Sequence, residues 1–147
     1  MLVFTRYPNQ NFTWFKLKGI TTIDEWIATL KEYARQGLTR YELYDYQDAP
    51  IDVEQFSVDD INRIIHVAGV HGHLRPADSK TALVANADVV FGLSRMYSSL
   101  AELENSINWE TRVFSSLPEA TTWLGKEVEK IVIENEAPRE DDRKSAG

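Results

Sequence analysis

The spacing of apolar residues changes period several times along the chain, and each change marks an element. Leu2–Tyr7 ("LVFTRY") and Phe12–Lys18 ("FTWFKLK") are rich in aromatic and β-branched residues, which suit a pleated, half-buried strand. Between them Pro8, Asn9 and Asn11 are turn formers, so the two runs are expected to pair as an antiparallel hairpin. The period then lengthens. Ile23, Trp26, Ile27, Leu30 and Ala34 recur at helical spacing, Thr22 and Glu25 fit a capping box, and Gly37 ends the pattern.

Arg40–Gln47 ("RYELYDYQ") returns to a period of two and reads as a strand. After "DAPIDVEQF", Ser57 and Asp60 frame a helix whose buried stripe is Val58, Ile61, Ile64, Ile65 and Ala68. Gly69 and Gly72 weaken that helix, and Pro76 closes it. Lys80–Ala87 ("KTALVANA") has the continuous apolar character of a strand inside a parallel sheet. A helix follows over Asp88–Leu100. At 100° per residue, Val89, Leu93, Met96, Leu100 and Leu103 share the face expected to meet the sheet, with Tyr97 at its margin. Phe91, Arg95, Ser98 and Glu102 fall on the other side, and Gly92 lies between. Trp109–Ser115 is the last strand. Ser116 and Glu119 cap a last helix bearing Ala120, Trp123, Leu124, Val128 and Ile131.

The expected order is therefore β-β-α-β-α-β-α-β-α: an α/β fold with a mixed, mostly parallel sheet and flanking helices. One domain is expected over residues 1–134, followed by a polar, flexible tail over residues 135–147 that has no apolar stripe to bury. The length of 147 residues agrees with a single core.

Charge and composition exclude more than they select. A net charge of −7 argues against a nucleic-acid partner bound through its phosphates. The absence of cysteine removes disulfides, thiol nucleophiles and thiolate metal sites. No apolar run approaches the roughly 20 residues that span a bilayer, so no transmembrane segment is expected. The opening "MLVFTRYPNQ" lacks the basic-then-apolar pattern of an export signal, and the expected location is cytoplasmic.

Candidate chemistry is sparse. There is no Gly-x-Ser-x-Gly elbow and no glycine-rich phosphate loop, so no catalytic residue and no cofactor is assigned. Asp45 and Asp48, with Asp52 and Glu54 beyond them, stand at the carboxyl end of a central strand, where open α/β sheets bind ligands. Their oxygens suit Mg²⁺ or Ca²⁺, but their spacing matches no calcium loop. His66, His71 and His73 need not converge, and no thiolate completes a zinc set. No metal is assigned. Ser57 reads first as an N-cap, with a phosphorylation site as its functional alternative, against the repulsion of Glu54, Asp59 and Asp60. Tyr41, Tyr44, Tyr46, Trp14, Phe15, Trp26 and Trp123 are core fillers or the lining of an apolar pocket. Phe91 and Arg95, flanked by Gly92 and Glu102, form a candidate interface, because aromatics and arginine dominate contact hot spots.

Three stretches, "YELYDYQDA", "VVFGLSRMYSSLAE" and "TRVFSSLPEATTWLG", together with the hairpin and first helix, resemble the SpoIIAA-like branch of the STAS superfamily. Those domains share a fold with bacterial anti-sigma-factor antagonists and have a broader likeness to lipid-binding CRAL-TRIO domains. Phosphorylatable antagonists carry an Asp-Ser-Ser-Gly-like motif where this chain has "DAPIDVEQFSVDD", which leaves Ser57 as the serine at the matching helix start. The resemblance implies a non-enzymatic regulatory or scaffold module that works through protein contacts, a homodimer among them. The alternative is a carrier or sensor of a small apolar or lipid-like ligand.

Overall fold

The hairpin forms where the aromatic runs place it, and everything else is built outward from its second strand. The computed structural model describes residues 1–47, 57–72, 74–76, 78–85, 88–102 and 109–136, without the side chains of 89–91, 93 and 100–102. Strands β1 (Leu2–Tyr7) and β2 (Phe12–Leu17) pair antiparallel around a 3-10 turn at Pro8–Gln10. Asn11 closes that turn in the left-handed region at φ 53°, and its side chain accepts the N–H of Arg40 at 2.9 Å. The hairpin tip is thereby tied to the start of the third strand.

From β2 the chain runs through helix α1 (Ile23–Gln36), strand β3 (Tyr41–Asp45), helix α2 (Val58–Gly72), strand β4 (Lys80–Val84), helix α3 (Asp88–Glu102) and strand β5 (Glu110–Phe114). The sheet order is β1-β2-β3-β4-β5, with β2 to β5 mutually parallel. Each crossover steps to the next strand in the same direction. Crossovers of one hand that never reverse must lay their helices on one face of the sheet. Trp26, Leu30 and Tyr33 of α1 and Ile64 of α2 accordingly pack with Phe15, Tyr44 and Leu83, and Tyr97 of α3 joins them.

The opposite face would be bare without the C-terminal segment. Helices α4 (Leu117–Leu124) and α5 (Lys126–Glu136) cover it, setting Ala120, Leu124, Val128 and Val132 against Phe12, Trp14, Leu43 and Val84. The expected single last helix is thus two. The break is Gly125, at φ 125°, whose N–H caps α4 by donating to the Thr121 carbonyl at 2.9 Å. Side chains rarely adopt that φ, so glycine lets the chain turn there.

Two further expectations shift. Strand β4 ends at Val84, three residues short of the apolar run, although Ala85 still donates to the Phe114 carbonyl at 3.1 Å. On α3, Tyr97 is central to the buried side: it joins the sheet-face core, and with Met96 it packs on Ile61 and Ile65 of α2. Ser98 turns toward β5, its hydroxyl 3.4 Å from the Thr111 carbonyl. A helix wedged between a sheet and a neighbouring helix buries two flanks, so one narrow stripe misplaces its margins. Among the described residues no helix is long and apolar enough to cross a membrane. Residues 137–147, most of the expected tail, lie outside the description.

Candidate functional site

Strand register assembles a feature that no single strand announces. Arg6 pairs with Thr13, Thr13 with Glu42, Glu42 with Thr81, and Thr81 with Thr111. Because strand side chains alternate, all five lie on the face covered by α1, α2 and α3. A polar row thus crosses an otherwise apolar layer near the amino ends of the parallel strands.

Arg75, from the segment after α2, plugs that row. Its side chain is 2% exposed and that of Glu42 7%, with Nε 3.5 Å from the Glu42 carboxylate. Nη1 donates to the Thr81 hydroxyl at 2.9 Å, Nη2 to the carbonyls of Arg40 and Lys80 at 3.0 and 3.2 Å, and Nε to that of Thr39 at 3.2 Å. The guanidinium also lies 4.7 Å from the Trp109 ring centre. Glu42 in turn accepts from the Tyr33 hydroxyl at 2.7 Å and the Thr81 hydroxyl at 3.0 Å. Tyr33 accepts from the Thr39 N–H at 2.8 Å, and the Thr39 and Thr13 hydroxyls meet at 2.8 Å. A buried charge pair persists only when its remaining lone pairs and protons are also satisfied, and here they largely are.

Above this network, between sheet and helices, lies a cavity of about 40 Å³. Glu42, Arg75 and His71 contribute polar groups to its lining; Trp26, Leu30, Ile64 and Leu83 form much of its apolar wall. Tyr44, Tyr46 and Tyr97 also line it. Tyr44 and Tyr46 are 9% and 7% exposed, and Tyr44 is fixed by a parallel stack on Phe15 with ring centres 4.2 Å apart. Among the described residues none of these three hydroxyls has a hydrogen-bond partner, whereas the neighbouring Tyr33 hydroxyl has several. Burial pushes all three phenols well above the usual range; the nearby Glu42 carboxylate adds to each, and Tyr97 adds to Tyr44 and Tyr46. They remain neutral and protonated throughout the physiological range.

The residues singled out from the sequence fall elsewhere. Asp45 ends β3 on the opposite face of the sheet, sharing the side of Leu43, and its carboxylate accepts the Gln47 N–H at 3.2 Å and the Gln47 side chain at 3.0 Å. It is a turn cap. Strands β2 to β5 follow one another in chain order, without the reversal of strand order at which such ligand crevices typically form. Asp48, Asp52 and Glu54 lie outside the described residues, as does His73. Ser57 is exposed and caps α2 reciprocally with Asp60: its hydroxyl accepts the Asp60 N–H at 3.1 Å, and Asp60 accepts the Ser57 N–H at 3.2 Å. His71 lines the cavity, whereas His66 is exposed. Among the described residues no group of three His, Asp or Glu side chains is placed to hold a metal ion.

On α3, Gly92 and Arg95 are exposed; the side chains of Phe91 and Glu102 lie outside the described residues. Of the aromatics, Phe15, Trp26, Tyr44 and Tyr46 belong to the cavity side, while Trp14, Tyr41 and Trp123 pack on the other face. Glu42 was legible in principle, since the period of two in "YELYDY" puts a carboxylate in line with Tyr44 and Tyr46. Arg75 was not, because nothing in "HLRPAD" signals burial. No family model, no curated protein and no solved structure matches the chain.

Proposed function

We propose that this chain is a non-enzymatic binding domain for a small, largely apolar molecule held between the sheet and helices α1, α2 and α3. The observation that carries the reading is the cavity itself, lined by Trp26, Leu30, Ile64 and Leu83 together with Tyr44, Tyr46 and Tyr97. An enclosed space with a mostly apolar wall and a few polar groups is the usual form of a small-molecule site. Catalysis is the weaker reading, because Glu42 and Arg75 neutralise each other and are engaged by neighbouring groups. The cavity as it stands holds only about one to three water-sized groups. The hairpin followed by three βα units also supports the SpoIIAA-like reading of the fold. Native mass spectrometry of freshly purified protein tests the function: a non-protein mass released by collisional activation is expected, and a bare polypeptide mass that resists loading with apolar fragments counts against it.

A regulatory contact through α3 is the second reading. Gly92 is exposed with nothing within 4 Å of where a Cβ would stand, and exposed Arg95 has no hydrogen bond or ion pair among the described residues. Such a surface lets another backbone approach closely. If α3 joins two copies, Phe91→Glu converts a dimer to a monomer in light scattering, and an unchanged mass removes this reading.

A further inference from the structure

We propose that small molecules reach this cavity through the seam between the carboxyl-terminal halves of α1 and α2, and that Ala34 and Ala68 set the size of what passes. This rests on the binding reading above and names the entrance to the same site. The first argument is the way burial changes along the two helices. On α1, Trp26 and Leu30 line the cavity and are buried, whereas Ala34, one turn beyond Leu30, lines it and is only half-buried. On α2, Ile64 lines it and is buried, whereas Val67, Ala68 and His71 line it and are half-buried. An alanine side chain is a single methyl group, so one that lines an internal space and also meets solvent stands at the rim of that space. Each helix follows a strand of the parallel sheet, so α1 and α2 run side by side in one direction. Both reach their rim in the same half, and the opening lies between them.

The second argument is where the seam is tied. Toward its amino-terminal end, Asp24 of α1 and Arg63 of α2 meet at 3.4 Å. Past its carboxyl-terminal end, Arg75 from the segment after α2 donates to the carbonyls of Thr39 and Arg40, just beyond α1, at 3.2 and 3.0 Å. The two alanines lie between these ties. Small side chains on facing helices leave space that larger ones fill, so this stretch is the gap in an otherwise fastened wall. His71 adds a polar group to the same rim.

The chain has no cysteine, so Ala34→Cys with Ala68→Cys provides a unique thiol pair that a short bis-thiosulfonate joins and a reductant releases. The probe is xenon, a single apolar atom of the size that small apolar cavities admit, and its exchange with water is followed by saturation-transfer xenon NMR on the full chain. The joined pair is expected to slow exchange about tenfold or more, and reduction to restore it. Ala34→Leu and Ala68→Leu should each slow exchange roughly three- to tenfold, whereas Val70→Leu, on the exposed side of α2, leaves it unchanged. A joined pair that exchanges xenon as fast as the reduced one places the entrance elsewhere and leaves the binding reading standing. So does a thiol pair that the short linker cannot bridge, because the two positions then do not face each other. Absence of any bound xenon in the unsubstituted chain overturns the entrance and the binding reading together.

Discussion

At the scale of single residues, the polar row is where the fold is most sensitive. Glu42 and Arg75 contribute little net stability as a pair, because desolvating them offsets their attraction. Removing one partner is different. Glu42→Leu leaves a buried guanidinium without its counter-charge and should cost about 3–5 kcal/mol, measured by urea unfolding. Glu42→Leu combined with Arg75→Met should recover much of that loss, because it removes both charges. If the two single substitutions simply add, the pair is not coupled as its geometry implies. Glu32 of α1 shows the contrasting surface case. Hydrogen bonds from Arg35 and Gln36 hold its exposed carboxyl down to about 2, yet nothing buried depends on it.

At the scale of elements, helix starts were legible from local chemistry alone. The Thr22 hydroxyl accepts the Glu25 N–H at 3.2 Å, and Ser116 accepts that of Glu119 at 3.4 Å. These are contacts within three residues, so the sequence contains both partners. Helix ends were less legible. Gly125 divides α4 from α5, and with open space around its Cβ position a substitution meets backbone strain rather than a clash. Gly125→Ala should therefore destabilise by about 1–3 kcal/mol through φ alone. A thermal midpoint unchanged by that substitution would show that the corner relaxes freely. On α3 the margin at Tyr97 was misplaced for a related reason. A helical wheel assumes one buried stripe, whereas α3 meets both the sheet and α2 through Tyr97 and Met96.

For the whole molecule, the tyrosines couple the cavity to stability at high pH. Burial raises the phenols of Tyr33, Tyr44, Tyr46 and Tyr97 above the ordinary value of 10.0. The folded chain therefore binds more protons than the unfolded chain once the pH passes that value. Stability should be intact below about pH 10 and fall as the pH rises beyond it. Phenolate absorbance at 295 nm from these four rings is expected to appear in one cooperative step, coincident with loss of circular dichroism. Gradual ionisation in a chain that stays folded would show that solvent reaches the cavity freely.

Local patterning determined most of the elements: the hairpin, the alternation of strands and helices, and the caps. Each depends on residues within a few positions of one another, and their periods survive in the bare sequence. The order of β2 to β5 put α1, α2 and α3 on one face and left the other to α4 and α5. Only the tertiary structure decided what that layer encloses. Register aligned Arg6, Thr13, Glu42, Thr81 and Thr111 across the sheet, and packing brought Arg75 and Tyr97 to them from distant segments. On the face beneath α1, α2 and α3, each is a polar position in line with apolar or aromatic ones. They become a site only when strands far apart in the chain lie side by side.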